Sequence, residues 1–181
     1  MPKFFHVTRT NLSGIDSFQL GQFDNSIAGE YLYSSQDFKS SIRKQYPDGI
    51  AKHGEIFLLN TFQSTGPNQG FTDNEFLIEM TFELVRKLKF PERNSRFTVS
   101  FGCLNLEDAK RLREITFDGE GEIFEVECDR YFKADMSFLR QGGSIIGMEI
   151  MAEKYWSGKS SGNPFWEVLM EYPVKILNKI E

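Results

Sequence analysis

Three short stretches carry the residues best suited to chemistry. Near the start, Phe4-Phe5-His6-Val7-Thr8-Arg9 has the aromatic and β-branched composition of a strand. Alternate strand residues share a face, so His6 and Thr8 project together while Arg9 points away. An imidazole beside a hydroxyl suits the binding of a diol or an amide. The ordinary alternative is a histidine at a sheet edge with its hydrogen bonds satisfied. Near the end, Phe165-Trp166-Glu167-Val168-Leu169-Met170 sets one carboxylate among apolar residues. Burial without partners is costly, so Glu167 needs partners, a chemical job, or an edge position facing water. Between them, Ser100-Phe101-Gly102-Cys103 follows a basic cluster of Arg86, Lys87, Lys89, Arg93 and Arg96. That cluster reads first as a solvated helix C-terminus favoured by the helix dipole. Its second reading is a place for the phosphates of an RNA or DNA acceptor.

Positioning these groups requires a series of short elements. A strand is expected over 3–9, and Asn11 opens a helical turn near 12–18. Ser34, with Asp37 three residues on, starts a helix of about 35–45 that Tyr46-Pro47-Asp48-Gly49 ends. Periodicity leaves Glu55 to Phe62 open between strand and short helix. Residues 63–74 read as loop, either a plain connection or a cover for a pocket. Thr72 and Glu75 form a capping box, and Phe76, Met80, Leu84 and Leu88 then recur at helical spacing, giving a helix over 73–89. A strand follows over 96–103, then a helix capped by Asn105 and Asp108 that runs to about 115, then a strand over 122–128. The helix 145–156 ends at Ser157-Gly158, and its Tyr155-Trp156 pair reads as core. Phe165 to Met170 and Val174 to Ile180 look like strands paired around Glu171-Tyr172-Pro173. Strands scattered among helices without a βαβ rhythm predict one α+β domain over 1–181, with mostly antiparallel or mixed sheets.

Composition narrows the function classes. With 21 basic and 26 acidic residues the net charge is −5, which argues against a general electrostatic grip on nucleic acid or an anionic membrane. A local basic patch is compatible with it. Cys103 and Cys128 lie in apolar runs and read as buried thiols, and His6 and His53, the only histidines, give no zinc spacing. No apolar stretch approaches 18 residues and no signal-peptide pattern is visible, so a cytoplasmic protein without a membrane partner is expected.

The run His6-Val7-Thr8-Arg9-Thr10-Asn11-Leu12-Ser13-Gly14-Ile15 resembles the first motif of the poly-ADP-ribose polymerase and diphtheria-toxin-like branch of the ADP-ribosyltransferases. In that family the His and the hydroxyl hold the riboses of NAD⁺, and the backbone of the residue between them pairs with the nicotinamide carboxamide. The resemblance gives these roles to His6, Thr8 and Val7, and sets Arg9 near the phosphates or in a structural ion pair. Ser100 to Ala109 resembles the second motif: Phe101 and Ala109 fall on the family's Phe and Ala without a gap. Ser100 stands in place of the usual Tyr, and Arg111 replaces a second Tyr that stacks on nicotinamide. Phe101, Tyr131, Phe132 and Trp156 are the alternative flat partners for that ring. Phe165 to Ile176 resembles the third motif, with Glu167 as its catalytic glutamate. Phe165 stands where arginine-modifying toxins carry Glu or Gln, which disfavours arginine as the acceptor.

The resemblance implies an α+β fold with split sheets, NAD as substrate, Glu167 and His6 as catalytic residues, and a cofactor-binding set of His6, Val7, Thr8, Arg9, Ser100, Phe101 and Arg111. It implies transfer of ADP-ribose to a protein or nucleic-acid acceptor, in a toxin or phage-defence effector with a neutralising antitoxin among its partners. Two alternatives share the scaffold. One is an NAD-dependent RNA 2′-phosphotransferase using Arg9, Arg96 and Arg111, and the other is a non-catalytic module that binds NAD or ADP-ribose.

Overall fold

Alternating apolar residues build two antiparallel sheets, seen in a computed structural model that describes residues 1–21, 36–59 and 73–181. In chain order the elements are β1 (Lys3–Thr8), β2 (Ser17–Phe18), α1 (Gln36–Gln45), α2 (Lys52–Gly54), a π-helical turn (Glu55–Leu59), α3 (Asp73–Lys89), a 3-10 turn (Arg96–Thr98), β3 (Val99–Gly102), α4 (Leu106–Phe117), β4 (Glu122–Glu127), β5 (Tyr131–Asp135), a 3-10 turn (Met136–Phe138), α5 (Ile145–Trp156), β6 (Trp166–Glu171) and β7 (Val174–Lys179). The four-stranded sheet has the order β1-β4-β7-β2 and the three-stranded sheet the order β3-β6-β5. A single rung joins them: Phe5 donates to the Cys103 carbonyl at 3.0 Å and accepts from the Cys103 amide at 2.8 Å.

Local signals account for most element boundaries. Asn105 caps α4 by accepting from the Asp108 amide at 2.8 Å, and Ser144 caps α5 by accepting from Gly147. The helix at 73–89 and the strands at the start and at 122–127 lie where the sequence sets them. Thr72, Ser34 and most of the 63–74 loop lie outside the described residues. The segment at Glu55 is helical, and only its first residues are described.

Four expectations are corrected. The turn near 12–18 is not helical: Asn11 accepts from the Ser13 amide at 2.9 Å in a local turn, and Phe18 then pairs with Val174. The strand expected from 96 begins with a 3-10 turn, because Ser95 accepts from the Phe97 amide and curls the chain first. β6 and β7 do not pair with each other; each joins a different sheet, β6 between β3 and β5 and β7 between β4 and β2. β5, which no alternation announced, supplies the partner that β6 lacks.

The core follows this split. Phe82, Val85, Val99, Ala134, Tyr155, Trp156 and Leu169 pack α3 and α5 onto the three-stranded sheet. Phe4, Val126, Val168, Met170 and Val174 fill the opposite side, and Val7, Cys103, Ala109 and Ile123 seat α4. The stripe that marks α3 as a helix is not its buried face: Met80, Leu84 and Leu88 are exposed, while Glu79, Glu83 and Arg86 are buried. Ion pairing permits this, since each buried charge has an opposite partner. Both cysteines are buried and unpaired with each other. Among the described residues no helix is long and apolar enough to cross a membrane.

Candidate functional site

The seam between the two sheets brings together the N-terminal and C-terminal candidates. β3 lies between β1 and β6, so the strands carrying His6 and Glu167 are two spacings apart, about 10 Å. Phe5 uses its amide and carbonyl on Cys103. By strand alternation, the Val7 amide and carbonyl point the same way, and the next rung would run from Val7 to Phe101. That rung is missing. The Phe101 carbonyl instead accepts from His6 Nδ1 at 2.7 Å, so the imidazole occupies the opening of the seam and the Val7 edge has no strand partner among the described residues.

This bond fixes the chemistry of the ring. A carbonyl only accepts, so Nδ1 carries the hydrogen and a neutral His6 offers Nε2 as an acceptor. Burial lowers the His6 pKa from its ordinary 6.5, against the opposing pull of the Phe101 carbonyl, so the ring is neutral at pH 7. Nε2 has no partner among the described residues and is not sealed from solvent. The Phe18 ring meets the imidazole edge-on, 4.9 Å between centroids.

Glu167 is buried but not alone. Its Oε1 accepts from Arg96 Nη1 at 2.7 Å and from the Tyr155 hydroxyl at 2.6 Å. Arg96 Nη1 also contacts that hydroxyl, and Arg96 Nε donates to both Glu79 oxygens at 3.1 and 3.0 Å. One guanidinium thus sits between two carboxylates. Oε2 of Glu167 accepts nothing from a described residue, yet it too is not sealed from solvent. The Arg96 guanidinium lies 4.7 Å from the Phe101 ring centroid. Phe101 therefore supports both candidates, His6 through its carbonyl and Glu167 through the arginine on its ring.

The electrostatics of the cluster are mutual. Burial would raise the Glu79 carboxyl, but Arg96 and then His53 outweigh it and hold it down at about 2. Burial works to lower the Arg96 pKa, and the charges of Glu167 and Glu79 outweigh it and raise it. Burial and the Glu167 charge push the Tyr155 phenol well up despite Arg96, so it remains a donor. His53 Nε2 is 3.1 Å from Glu79 Oε1, outside hydrogen-bond alignment.

A family model matches residues 4–181. The chain belongs to the DUF2441 family, described as a protein of unknown function. No curated protein matches it.

The other candidates of this DUF2441 chain scatter around the seam. Thr8 accepts from the Thr10 amide at 3.0 Å, leaving its hydroxyl hydrogen to donate elsewhere. Arg9 is exposed, 5.1 Å from the Phe117 ring, on a cavity of about 500 Å³ with Asn11 and Glu122. Ser100 is buried beside the Tyr172 hydroxyl. Arg111 is exposed and lies 4.4 Å from the centroid of Phe165, which precedes Glu167 by two residues. Of the flat rings, Trp156 is fully buried with its indole N–H on the Phe82 carbonyl, Phe132 is covered by Arg93 at 4.1 Å, and Phe101 lies under Arg96. Tyr131 alone of that group is exposed. Neither His6 nor Glu167 lines the cavity by Arg9, the apolar one of about 450 Å³ between Phe57 and Met80, or the polar one of about 570 Å³ by Arg93 and Arg130.

The basic cluster is not a solvated helix end throughout. Arg86 is buried, donating to Glu83 at 2.9 and 2.8 Å and to the Arg93 carbonyl, and Arg96 is the centre of the site. Tyr155 reads as core and is core, but its hydroxyl reaches the catalytic candidate. Glu79 carries no sequence signal beyond a helical position. Only an acid among the buried positions of an amphipathic helix would have marked it.

Proposed function

We propose that the chain is an NAD⁺-dependent ADP-ribosyltransferase that breaks the nicotinamide–ribose bond and transfers ADP-ribose to a macromolecular acceptor, protein or nucleic acid. The observation that carries this reading is the unpaired Val7 backbone edge at the seam, beside an anchored imidazole and two strand spacings from an anchored carboxylate. A carboxamide presents one acceptor and two donors, the complement of the Val7 amide and carbonyl. The split of the sheets at one rung and the order of the three motifs along the chain support the same fold-level likeness.

In this reading His6 Nε2 accepts from a ribose hydroxyl and the Thr8 hydroxyl donates beside it. Glu167 Oε2 takes the 2′-hydroxyl of the nicotinamide ribose. As the bond from C1′ to nitrogen breaks, the electron pair leaves with nicotinamide, and the Glu167 charge stabilises the cation developing at C1′. The acceptor nucleophile then bonds C1′ and gives its proton to solvent. Arg96 and Tyr155 hold Oε1 so that the carboxylate need not reorganise during the reaction. A single-domain enzyme of this kind fits a toxin or phage-defence effector restrained by an antitoxin, on fold analogy.

The RNA 2′-phosphotransferase alternative loses one of its three arginines, because Arg96 is committed to two carboxylates. The non-catalytic module leaves unexplained why Glu167 is braced on one oxygen and has no partner among the described residues on the other. The test is incubation of the protein with labelled NAD⁺ and a cell lysate. Nicotinamide release and a labelled acceptor are expected, with Glu167→Ala slower by about 10²–10³-fold or more. Equal rates in the two proteins would refute the assignment.

A further inference from the structure

We propose that the rim of β6 next to Glu167 is an acceptor-binding surface for single-stranded nucleic acid. The two residues that lead into β6, Phe165 and Trp166, each lie under a cation. The Arg111 guanidinium is 4.4 Å from the Phe165 centroid, and the Lys133 ammonium is 4.1 Å from the Trp166 centroid. Both cations are exposed. Neither has an ion pair or a hydrogen bond with any described residue, whereas Arg96 and Arg130 are each paired with a carboxylate.

Position ties this pair of cations to the reaction centre. Phe165 extends the β5–β6 pairing, its carbonyl accepting from Met136, so it shares a strand face with Glu167 and sets Arg111 on that side. Trp166 and Lys133 lie on the other side of the same rim. Tyr131 projects from β5 on the Lys133 face and is 46% exposed. A chain crossing the rim meets a guanidinium plane, an ammonium, a partly exposed indole and an exposed phenol within a few residues of Glu167.

The chemistry selects the ligand class. Cations resting on aromatic rings bind phosphates at their edges while the flat groups stack on bases, the combination used to hold single strands without sequence readout. An acidic peptide satisfies the charges but leaves the rings unused. A duplex keeps its bases stacked inside. The small number of cations agrees with a net charge of −5, which forbids a broad electrostatic footprint but not a local one. The inference takes its chemical purpose from the ADP-ribosyltransferase reading, but the binding itself does not depend on it.

Tryptophan fluorescence tests it without catalysis. Trp156 is fully buried, so a ligand at the rim is reported by Trp166. Titrating the full chain with a short single-stranded oligonucleotide should give saturable quenching that Trp166→Phe removes, with weaker binding of a duplex of equal length. Arg111→Gln and Lys133→Gln should each weaken binding and flatten the dependence of log K on log salt by about 0.7. Absence of quenching, a salt slope unchanged in the double variant, or equal binding of polyglutamate would overturn the proposal. If the oligonucleotide binds but no nicotinamide is released and neither nucleic acid nor protein receives ADP-ribose, the enzymatic reading fails and the binding surface stands. If a protein is labelled and no oligonucleotide binds, the surface fails and the enzyme stands.

Discussion

His6 donates its Nδ1 hydrogen to the Phe101 carbonyl at 2.7 Å, in the place where a backbone rung from Val7 would otherwise close the seam. The bond has two effects. It fixes the tautomer, so that the outward nitrogen is an acceptor, and it links the two sheets through a side chain beside a stretch of backbone with no strand partner among the described residues. Backbone amides inside a fold are nearly always paired, and a bound carboxamide would pair the Val7 edge.

The first prediction concerns acid. Burial places the His6 pKa below 6.5 in the folded chain, so the unfolded chain binds the proton more readily. The contribution of neutral His6 is complete above 6.5 and is lost as pH falls from there through the lowered folded value. Urea unfolding at pH 7.5 and 5.5 should show a larger loss for the wild type than for His6→Gln. Glu79 adds a second contribution, present in full above 4.5 and lost as pH falls through about 2.

Arg96 is the residue whose removal should be most damaging. Arg96→Met leaves Glu79 and Glu167 buried and facing each other, and breaking a buried pair in this way costs about 3–5 kcal/mol. Chemical denaturation should show a loss of this order, and a variant as stable as the wild type would contradict the buried network.

Tyr155→Phe is gentler. It deletes the bond the hydroxyl donates to Glu167 and the one it accepts from Arg96, while Arg96 still holds the carboxylate, a loss of about 1.5–3 kcal/mol. If Tyr155 braces Glu167 for catalysis, kcat for nicotinamide release should fall while KM for NAD⁺ changes little. Equal effects on both would make Tyr155 a packing residue alone.

Asp135 ties down the approach to β6. Its oxygens accept from the amides of Ser137 at 3.0 Å, Phe165 at 3.0 Å and Ser161 at 2.7 Å, and the last two are long-range. Burial opposes its charge, but the hydrogen bonds from Ser161 and Ser137 hold the carboxyl at about 2. Asp135→Asn turns one acceptor oxygen into a donor, which should destabilise the chain by about 1–3 kcal/mol and speed amide exchange at Ser161 and Phe165. Unchanged exchange there would show that the loop is held by other contacts.

The thiols give a quick check on the core. Burial, followed by the charges of Asp108 and Glu167, pushes Cys103 up to about 12, and burial pushes Cys128 up to about 11. Iodoacetamide at pH 8 should alkylate neither in the folded protein and both after unfolding.

What the sequence revealed was local. Asn105 with Asp108, Ser157-Gly158 and the alternation around Ile123 each act within a few residues, and the elements they mark are where they were expected. Pairing was not legible. Glu171-Tyr172-Pro173 reads as a hairpin turn, and only the distribution of partners shows that the chain changes sheets there. The same limit hid half of the site. His6, Val7 and Glu167 lie in strands with recognisable patterns, whereas Arg96 reaches Glu167 across 71 residues, and Tyr155 hides in a helix end that reads as core. The apolar stripe of α3 misled for a related reason: spacing identifies a helix but not its buried side, and here Phe82 and Val85 share that side with paired charges.

A crystal structure of Glu167→Gln grown with NAD⁺ tests the central claim most directly. The carboxamide should lie on the Val7 backbone, with His6 Nε2 and the substituted side chain at position 167 both within hydrogen-bonding distance of ribose hydroxyls of one NAD⁺ molecule. An NAD⁺ bound away from the seam, or a structure in which His6 and position 167 contact no common ligand, would contradict it.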